Sequence, residues 1–356
     1  MLDWKLYKLS EIAEVKYGKA HQSLDDGNIP AYGSGGLMRY VNRAIYEEES
    51  ILIPRKGSLN NILFKKEPFW TVDTMFWTIL NKRIVYPKFL YYLLTTFDFA
   101  NMNVGSAVPS MTIDVLNNLN LFVPSLPEQI EIAEILSSLD DKIDILHRQN
   151  KTLEQIAETL FRQWFVEEAE DEWDVGTLGD VISIFDNKRI PVSSMEREKM
   201  KIGKLYPYYG AATIMDYIND FIFEGEYILM GEDGTVQTIE GYPILQLPVG
   251  KFWVNNHTHI FQAKKPFSNF FIYIFLKKTN ISNIITGAVQ PKINQQALKS
   301  IEFVFPDKHY LDKYLETTNE IWNKIKNNNN QINTLTKLRD TLLPKLMRGE
   351  VRVIKI

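Results

Sequence analysis

The sequence predicts an α+β protein: two tandem mixed α/β domains separated by two long helices that pair as an antiparallel coiled coil, with a pseudo-twofold internal repeat. Three observations predict this. Ordered self-similarity runs along the whole chain, two glycine-poor stretches carry heptad seams, and each half holds short apolar runs bounded by glycine turns.

The repeat opens with Trp4-Lys5-Leu6 and Leu9, which return as Trp173-Asp174-Val175 and Leu178 at an offset of 169. Pro30-Ala31-Tyr32-Gly33 with Leu37-Met38-Arg39-Tyr40 returns at 177 as Pro207-Tyr208-Tyr209-Gly210 with Ile214-Met215-Asp216-Tyr217, and Gly57 matches Gly234. Phe89-Leu90-Tyr91, Gly105, Pro109 and Pro124 return at 182 as Phe271-Ile272-Tyr273, Gly287, Pro291 and Pro306. An offset that grows in steps is what loop insertions in a duplicated domain produce. The 182 offset then carries Thr152-Leu153, Thr159-Leu160 and Trp164-Phe165 onto Thr334-Leu335, Thr341-Leu342 and Leu346-Met347. One half is therefore a domain plus a following helix, giving a first domain at 1–126, a helix at 127–172, a second domain at 173–306 and a second helix at 307–356.

In the first domain, Ser50-Ile51-Leu52-Ile53-Pro54 and Phe69-Trp70-Thr71-Val72 read as strands, and 88–99 as a short amphipathic helix. From Pro127 to Phe165 there is neither glycine nor internal proline, and Ser125-Leu126-Pro127-Glu128 is a helix start. Leu139, Ile143, Leu146, Asn150, Leu153, Ala157, Leu160 and Trp164 alternate in steps of four and three, a heptad seam with one polar member. In the second domain Glu226-Tyr227-Ile228-Leu229-Met230 and Phe252-Trp253-Val254 read as strands, and 269–278 as a helix. The partner seam is Ile321, Ile325, Asn328, Ile332, Leu335, Arg339, Leu342 and Leu346, weakened by Asn328 and Arg339. Each helix reaches roughly 55 Å at 1.5 Å per residue, long enough to act as a spacer. An asparagine in a seam fixes register at a cost in stability.

Composition narrows the function classes. The 356 residues are 45% hydrophobic and 24% charged, which suits a packed core and excludes disorder. There is no cysteine, so disulfides, thiolate zinc sites and cysteine nucleophiles are excluded, and the cytosol is the expected compartment. Met1-Leu2-Asp3-Trp4-Lys5 lacks a signal-peptide shape, and no apolar run approaches the length of a membrane span. The net charge of −4 is unevenly placed: residues 127–172 carry 4 basic and 13 acidic side chains, while 1–126 carry 13 and 12 and 173–306 carry 13 and 13. Both domains are thus near neutral, and the acidic excess lies on the first helix and the segment after it.

From Pro127-Glu128-Gln129-Ile130 through Leu139-Asp140-Asp141-Lys142-Ile143 to Leu160-Phe161-Arg162-Gln163-Trp164-Phe165, the first helix resembles the central conserved region of Type I restriction-modification specificity subunits. Leu342-Leu343-Pro344-Lys345-Leu346-Met347-Arg348-Gly349-Glu350 resembles that family's C-terminal counterpart. The second helix departs from the pattern, opening with Asp307-Lys308-His309-Tyr310 in place of Pro-Glu-Gln. The resemblance implies a non-catalytic DNA-reading subunit of a prokaryotic, cytoplasmic DNA-methylation and phage-defence system. Each domain would be a target recognition domain that reads one half of a bipartite asymmetric site in double-stranded DNA. The helices would set the gap and hold two methyltransferase subunits, which use S-adenosylmethionine, with motor-nuclease subunits using ATP and Mg2+ joining for cleavage. No cofactor or metal is expected on this chain. The alternatives are a subunit of a related methylation-based defence system, a coiled-coil scaffold with no DNA role, and an enzyme of unrecognised type, which is disfavoured because the polar residues of the two halves do not match.

Candidate DNA contacts lie on three pairs of loops. Tyr32-Gly33-Ser34 and Tyr209-Gly210 combine an aromatic with small residues, which permits close backbone approach and equally describes a tight turn. Arg55 and Lys56, with Ser58, suit phosphate or guanine; Glu232 and Asp233, with Thr235, suit cytosine N4 or cap a turn. Ser106 and Ser110 in one copy, and Gln290 and Lys292 in the other, precede short predicted helices. His257 and His259, alternate residues of a strand, lack a third ligand in the sequence nearby and read as DNA-contact or packing residues. Enzyme motifs are missing: Gly18, Gly203 and Gly250 precede lysine without a following Ser or Thr, and neither a dinucleotide fingerprint nor an Asn-Pro-Pro-aromatic methyltransferase motif occurs.

Overall fold

The computed structural model describes residues 4–103, 109–170, 172–287 and 290–353. The chain forms two compact units, Met1–Ile145 with Ile332–Ile356, and Leu146–Gln331. Each unit therefore contains one domain and a portion of both long helices, Leu126–Arg162 and Lys308–Met347. Among the described residues no helix is long and apolar enough to cross a membrane.

In the first unit β1 (Lys5–Lys8) pairs with a returning strand at Asn120–Val123. β2 (Ala13–Tyr17) leads into the hairpin of β3 (Ile29–Gly33) and β4 (Gly36–Val41), followed by β5 (Ser50–Pro54), β6 (Leu63–Lys65), β7 (Trp70–Thr71), β8 (Met75–Leu80) and β9, the returning strand. They form an antiparallel sheet β2-β8-β5-β6 and a smaller sheet β4-β3-β7 whose β3 and β7 run parallel. All five residues of β5 are buried, as expected of a central apolar run without alternation. Its one hydroxyl, Ser50, donates to Thr78 O at 2.7 Å and accepts from Thr78 N at 3.0 Å, so burial leaves neither group unpaired. Helix Pro87–Thr95 starts on proline and buries Phe89, Leu90 and Leu93 against this sheet.

The second unit repeats the order. β10 (Val175–Thr177), β11 (Ile182–Ile184), β12 (Tyr206–Tyr209), β13 (Ile214–Ile218), β14 (Phe223–Glu226), β15 (Ile228–Gly231), β16 (Leu245–Gln246), β17 (Val249–Val254), β18 (Thr258–Ala263) and β19 (Glu302–Val304) build sheets β11-β18-β15-β16 and β13-β12-β17-β14 and the ribbon β10-β19. β12 and β17 are parallel, as β3 and β7 are. The additional strand β14 lengthens what is a single bridge, Tyr46 to Phe69, in the first unit. The first step in the repeat offset coincides with helix Ser194–Lys199, which the first unit does not have between β2 and β3.

Both long helices contribute to both cores. In the first unit Ile132, Ala133 and Leu136 of one helix and Leu346 and Met347 of the other are buried in a cluster with Leu9, Ile53, Phe89 and Leu121. In the second, Ala157 and Phe161 of one helix and Leu311, Tyr314 and Trp322 of the other are buried with Phe271 and Phe303. The end of the last helix takes, on the first core, the place that the end of the first long helix takes on the second. Leu343 and Met347 stand on the first core as Phe161 and Phe165, their counterparts 182 residues earlier, stand on the second.

The predicted seam residues are all buried or half-buried. Within the second unit Asn328 Nδ2 donates to Asn150 Oδ1 at 2.8 Å, and Tyr314 OH donates to Ala157 O at 3.0 Å; numbers rise along one helix as they fall along the other, so the pair is antiparallel. Within the first unit Arg339 is no defect in the seam, because it donates to Asp140 Oδ1 at 2.9 Å while Tyr92 OH donates to Asp140 Oδ2 at 2.6 Å. The Pro-Glu-Gln start also has a physical role. Gln129 is fully buried; it accepts from Tyr86 N at 2.7 Å and donates to Ile84 O and Pro124 O, each at 2.9 Å, while Glu128 accepts from Trp4 Nε1 at 3.3 Å. The other helix starts differently, with Asp307 Oδ1 accepting from His309 N at 2.7 Å and Tyr310 edge-on to Trp173.

Candidate nucleic-acid interface

In each unit the loops singled out from the sequence meet. In the first, Gly57 N donates to Pro109 O at 3.0 Å and Met111 N to Arg55 O at 2.8 Å, which seats the 55–58 turn against 109–111. The 33–36 turn joins them, since Asn61 Nδ2 donates to Ser34 O at 2.8 Å and Ser34 Oγ lies 3.2 Å from where a Cβ on Gly57 would be. The second unit repeats these bonds: Gly234 N donates to Pro291 O at 3.0 Å and Ile293 N to Glu232 O at 2.8 Å. Lys56 bridges to Ser110, and Asp233 bridges to Lys292 at the corresponding positions. Gly57 and Gly234 have φ of +82° and +81°, a conformation that glycine alone adopts without strain, so the same turn is built twice.

The side chains on this shared backbone differ. In the first unit Lys56 and Ser58 are exposed, Ser34 and Ser110 are half-buried, and Lys65 Nζ lies 4.0 Å above the ring of Tyr32. Arg55 is held in place: it donates to Asp73 O at 3.0 Å and its guanidinium lies 5.3 Å from the ring of Tyr17. Ser106 lies outside the described residues. In the second unit Thr235, Gln290 and Lys292 are exposed, whereas Tyr209 packs edge-on to Phe252, with burial pushing its hydroxyl pKa up to about 12.

Two second-unit candidates, His259 and Glu232, are held in a buried network that the sequence did not reveal. His259 is fully buried, so it is a packing residue and not a DNA contact. Its Nδ1 lies 2.6 Å from Asp186 Oδ2 and its Nε2 2.8 Å from Ile293 O, so both ring nitrogens are engaged within the core. Glu232 is tied inward through one oxygen, since Arg189 donates to its Oε2 at 2.6 Å while also donating to Thr258 O at 2.7 Å. Asp233 is engaged by His257 Nδ1 at 2.6 Å, and this leaves the other nitrogen of the half-exposed His257 ring as the outward group.

Burial pushes the Asp186 carboxyl up, but the hydrogen bond and charge of His259, the Ile260 N–H and Arg189 outweigh it and hold the group below the usual carboxylate range. Asp186, Glu232 and His259 are thus clustered ligand types, yet both nitrogens of His259 are already engaged and the Arg189 guanidinium is hydrogen-bonded to Glu232, which makes this a polar clamp already occupied by a cationic side chain. Asp186 and Arg189 lie 73 and 70 residues before His259 with no repeat counterpart of the same type, so no spacing signalled them.

A model of the Type I restriction modification DNA specificity domain matches residues 1–155 and again 170–339. The chain belongs to that family. A Type I restriction enzyme specificity subunit, MjaIX, of Methanocaldococcus jannaschii is 26% identical to it across 99% of this chain and 94% of the relative. The HindI specificity subunit of Haemophilus influenzae is 39% identical over 105 residues, 28% of this chain and 23% of that one. The crystal structure of a Type I restriction-modification S subunit from M. genitalium has the same fold, with a TM-score of 0.62 at 18% identity over 97% of this chain and 96% of that chain. The two matched segments each begin at a domain and run into its following long helix, so the specificity-domain repeat is the repeat read from the sequence.

Proposed function

We propose that this chain is the non-catalytic DNA-recognition subunit of a Type I restriction-modification complex, with each domain reading one half of a bipartite asymmetric site. The observation that carries this is the duplicated loop cluster: one backbone arrangement, held by the same hydrogen bonds, presents Lys56 and Ser58 in one unit and Thr235, His257 and Lys292 in the other. A shared scaffold carrying different outward side chains suits two different half-sites, because phosphate contacts position a protein while side chains at base edges specify the sequence.

A second repeated feature fits a partner present in two copies. The cleft in the first unit lined by Leu93, Phe97, Phe122, Leu343 and Met347 has its 182-residue counterpart in the second, lined by Phe275, Thr279, Val304, Phe161 and Phe165. Two equivalent clefts support docking of two methyltransferase subunits, with motor-nuclease subunits completing the complex. Near-neutral domains bind DNA weakly alone, so tight binding is expected only with those partners.

Gel shift with random duplex DNA, with the chain alone and with methyltransferase subunits, tests the proposal: a subunit-dependent complex is expected, and its absence removes the DNA role. Lys56→Ala should weaken binding to all sequences alike if Lys56 meets a phosphate and lower the salt slope by about one; a change confined to one base position would instead mark Lys56 as a base reader. Inserting seven residues into each long helix preserves the heptad seam and adds roughly 10.5 Å. The gap in the methylated motif should then lengthen by about three base pairs at 3.4 Å each, and an unchanged gap would exclude a ruler.

A further inference from the structure

The hairpins β3-β4 and β12-β13 carry the same irregularity at the same place. Ala31 pairs with Arg39 and Tyr32 with Leu37, so Met38 is an extra residue in its strand; Tyr208 pairs with Asp216 and Tyr209 with Ile214, so Met215 is extra in its own. Such a bulge interrupts alternation and turns consecutive side chains to one face. Leu37, Met38 and Tyr40 are consequently all about half exposed, at 51–54%, and Ile214, Met215 and Tyr217 at 39–53%. The methionines are seated alike. A Cβ on Gly33 would stand 2.6 Å from the sulfur of Met38, and one on Gly210 would collide in the same way with Met215, so each glycine leaves room for a thioether to lie across it. These glycines belong to the turns that join the reading clusters: Ser34 follows Gly33 and touches the 57 turn, and Ala211 follows Gly210 with its O 3.4 Å from a Cβ position on Gly231.

The reading loops differ between the units, but this apolar trio does not, with Leu or Ile, then Met, then Tyr in both. A feature that is the same in both readers suits a surface that both half-sites share. Resting on the DNA-reading role, we propose that Met38 and Met215 are sequence-neutral wedges that press the apolar trio onto the base steps of duplex DNA beside each reading cluster. Continuity with the cluster favours DNA as the occupant, and a flexible thioether is suited to lie between or against base faces without regard to identity.

The test uses the assembled complex of this chain with its methyltransferase subunits, on duplexes carrying the motif it methylates and 2-aminopurine at successive steps. Binding of that motif over scrambled DNA by the unaltered complex tests the reading role; if it fails, that role and the wedge fall together. With it intact, Met38→Ala and Met215→Ala are each expected to weaken binding about tenfold. Each should abolish the 2-aminopurine unstacking signal in one half-site only and leave the methylated motif unchanged. Unaltered affinity and fluorescence would overturn the wedge alone, as would loss of methyltransferase subunits from the complex, which would assign the trio to protein docking. Both side chains are half exposed, so the variants should fold as the parent does, checked by their melting curves.

Discussion

Asp186→Ala should destabilise the second unit by about 3–5 kcal/mol, the cost of removing one partner from a buried charged network. Asp186 is 6% exposed and accepts from His259 Nδ1, Ile260 N at 2.9 Å and Gln295 Nε2 at 2.7 Å. Its loss strands the fully buried His259 imidazole and the buried Ile260 N–H, and Arg189 loses a neighbour 3.7 Å away. Because Glu232 and Ile293 hang on the same network, the reading cluster of that unit should loosen with it. Hydrogen exchange within 178–303 in increasing denaturant measures the effect, and a loss below about 1 kcal/mol would contradict the clamp. The pH dependence has a definite sign. A carboxyl whose folded pKa lies below its unfolded value adds stability above the unfolded value and gives it up as pH falls through the folded one, so this contribution should be complete at neutrality and fade below about pH 4.

Leu346→Ala with Met347→Ala should open the first unit while sparing the second. These side chains are 2% and 4% exposed within the core of the N-terminal domain, although they lie more than 220 residues after its last strand. A buried Leu or Met cut to Ala costs about 2–5 kcal/mol, and two adjacent cavities approach the whole stability of an ordinary domain. Because the pair are neighbours, the sum need not be additive. Hydrogen exchange separates the outcomes: protection should collapse across 9–123 and persist across 178–303. Uniform loss in both regions, or none, would show that the end of the last helix does not complete the first core.

The parts of the fold legible in the sequence were those with a period or a repeat. The seams, strands β5, β7, β15 and β17 and the two short amphipathic helices follow from spacing and burial of apolar residues, and duplication set the correspondence between halves. Features made by contacts distant in sequence were less legible. Arg339 looked like a flaw in a heptad until Asp140 and Tyr92 stood beside it. The place of Leu343 and Met347 in the first core was signalled by their alignment with Phe161 and Phe165, but only the fold shows what that alignment means. At the candidate site, three loop pairs were identifiable from glycine, small and charged residues. Which side chains remain outward was not, because Arg189 and Asp186 take up Glu232 and His259 through bonds that no local pattern encodes.

Methylation mapping after exchange of one domain tests the central claim most directly. Residues 1–126 are replaced by those of another specificity subunit whose core accepts Ile132, Ala133, Leu136, Leu346 and Met347, and the chain is expressed with its methyltransferase. A two-part motif is predicted in which one half changes while the other half and the gap stay as they were. Changes in both halves, or a motif that does not change at all, would contradict two independent readers on one chain.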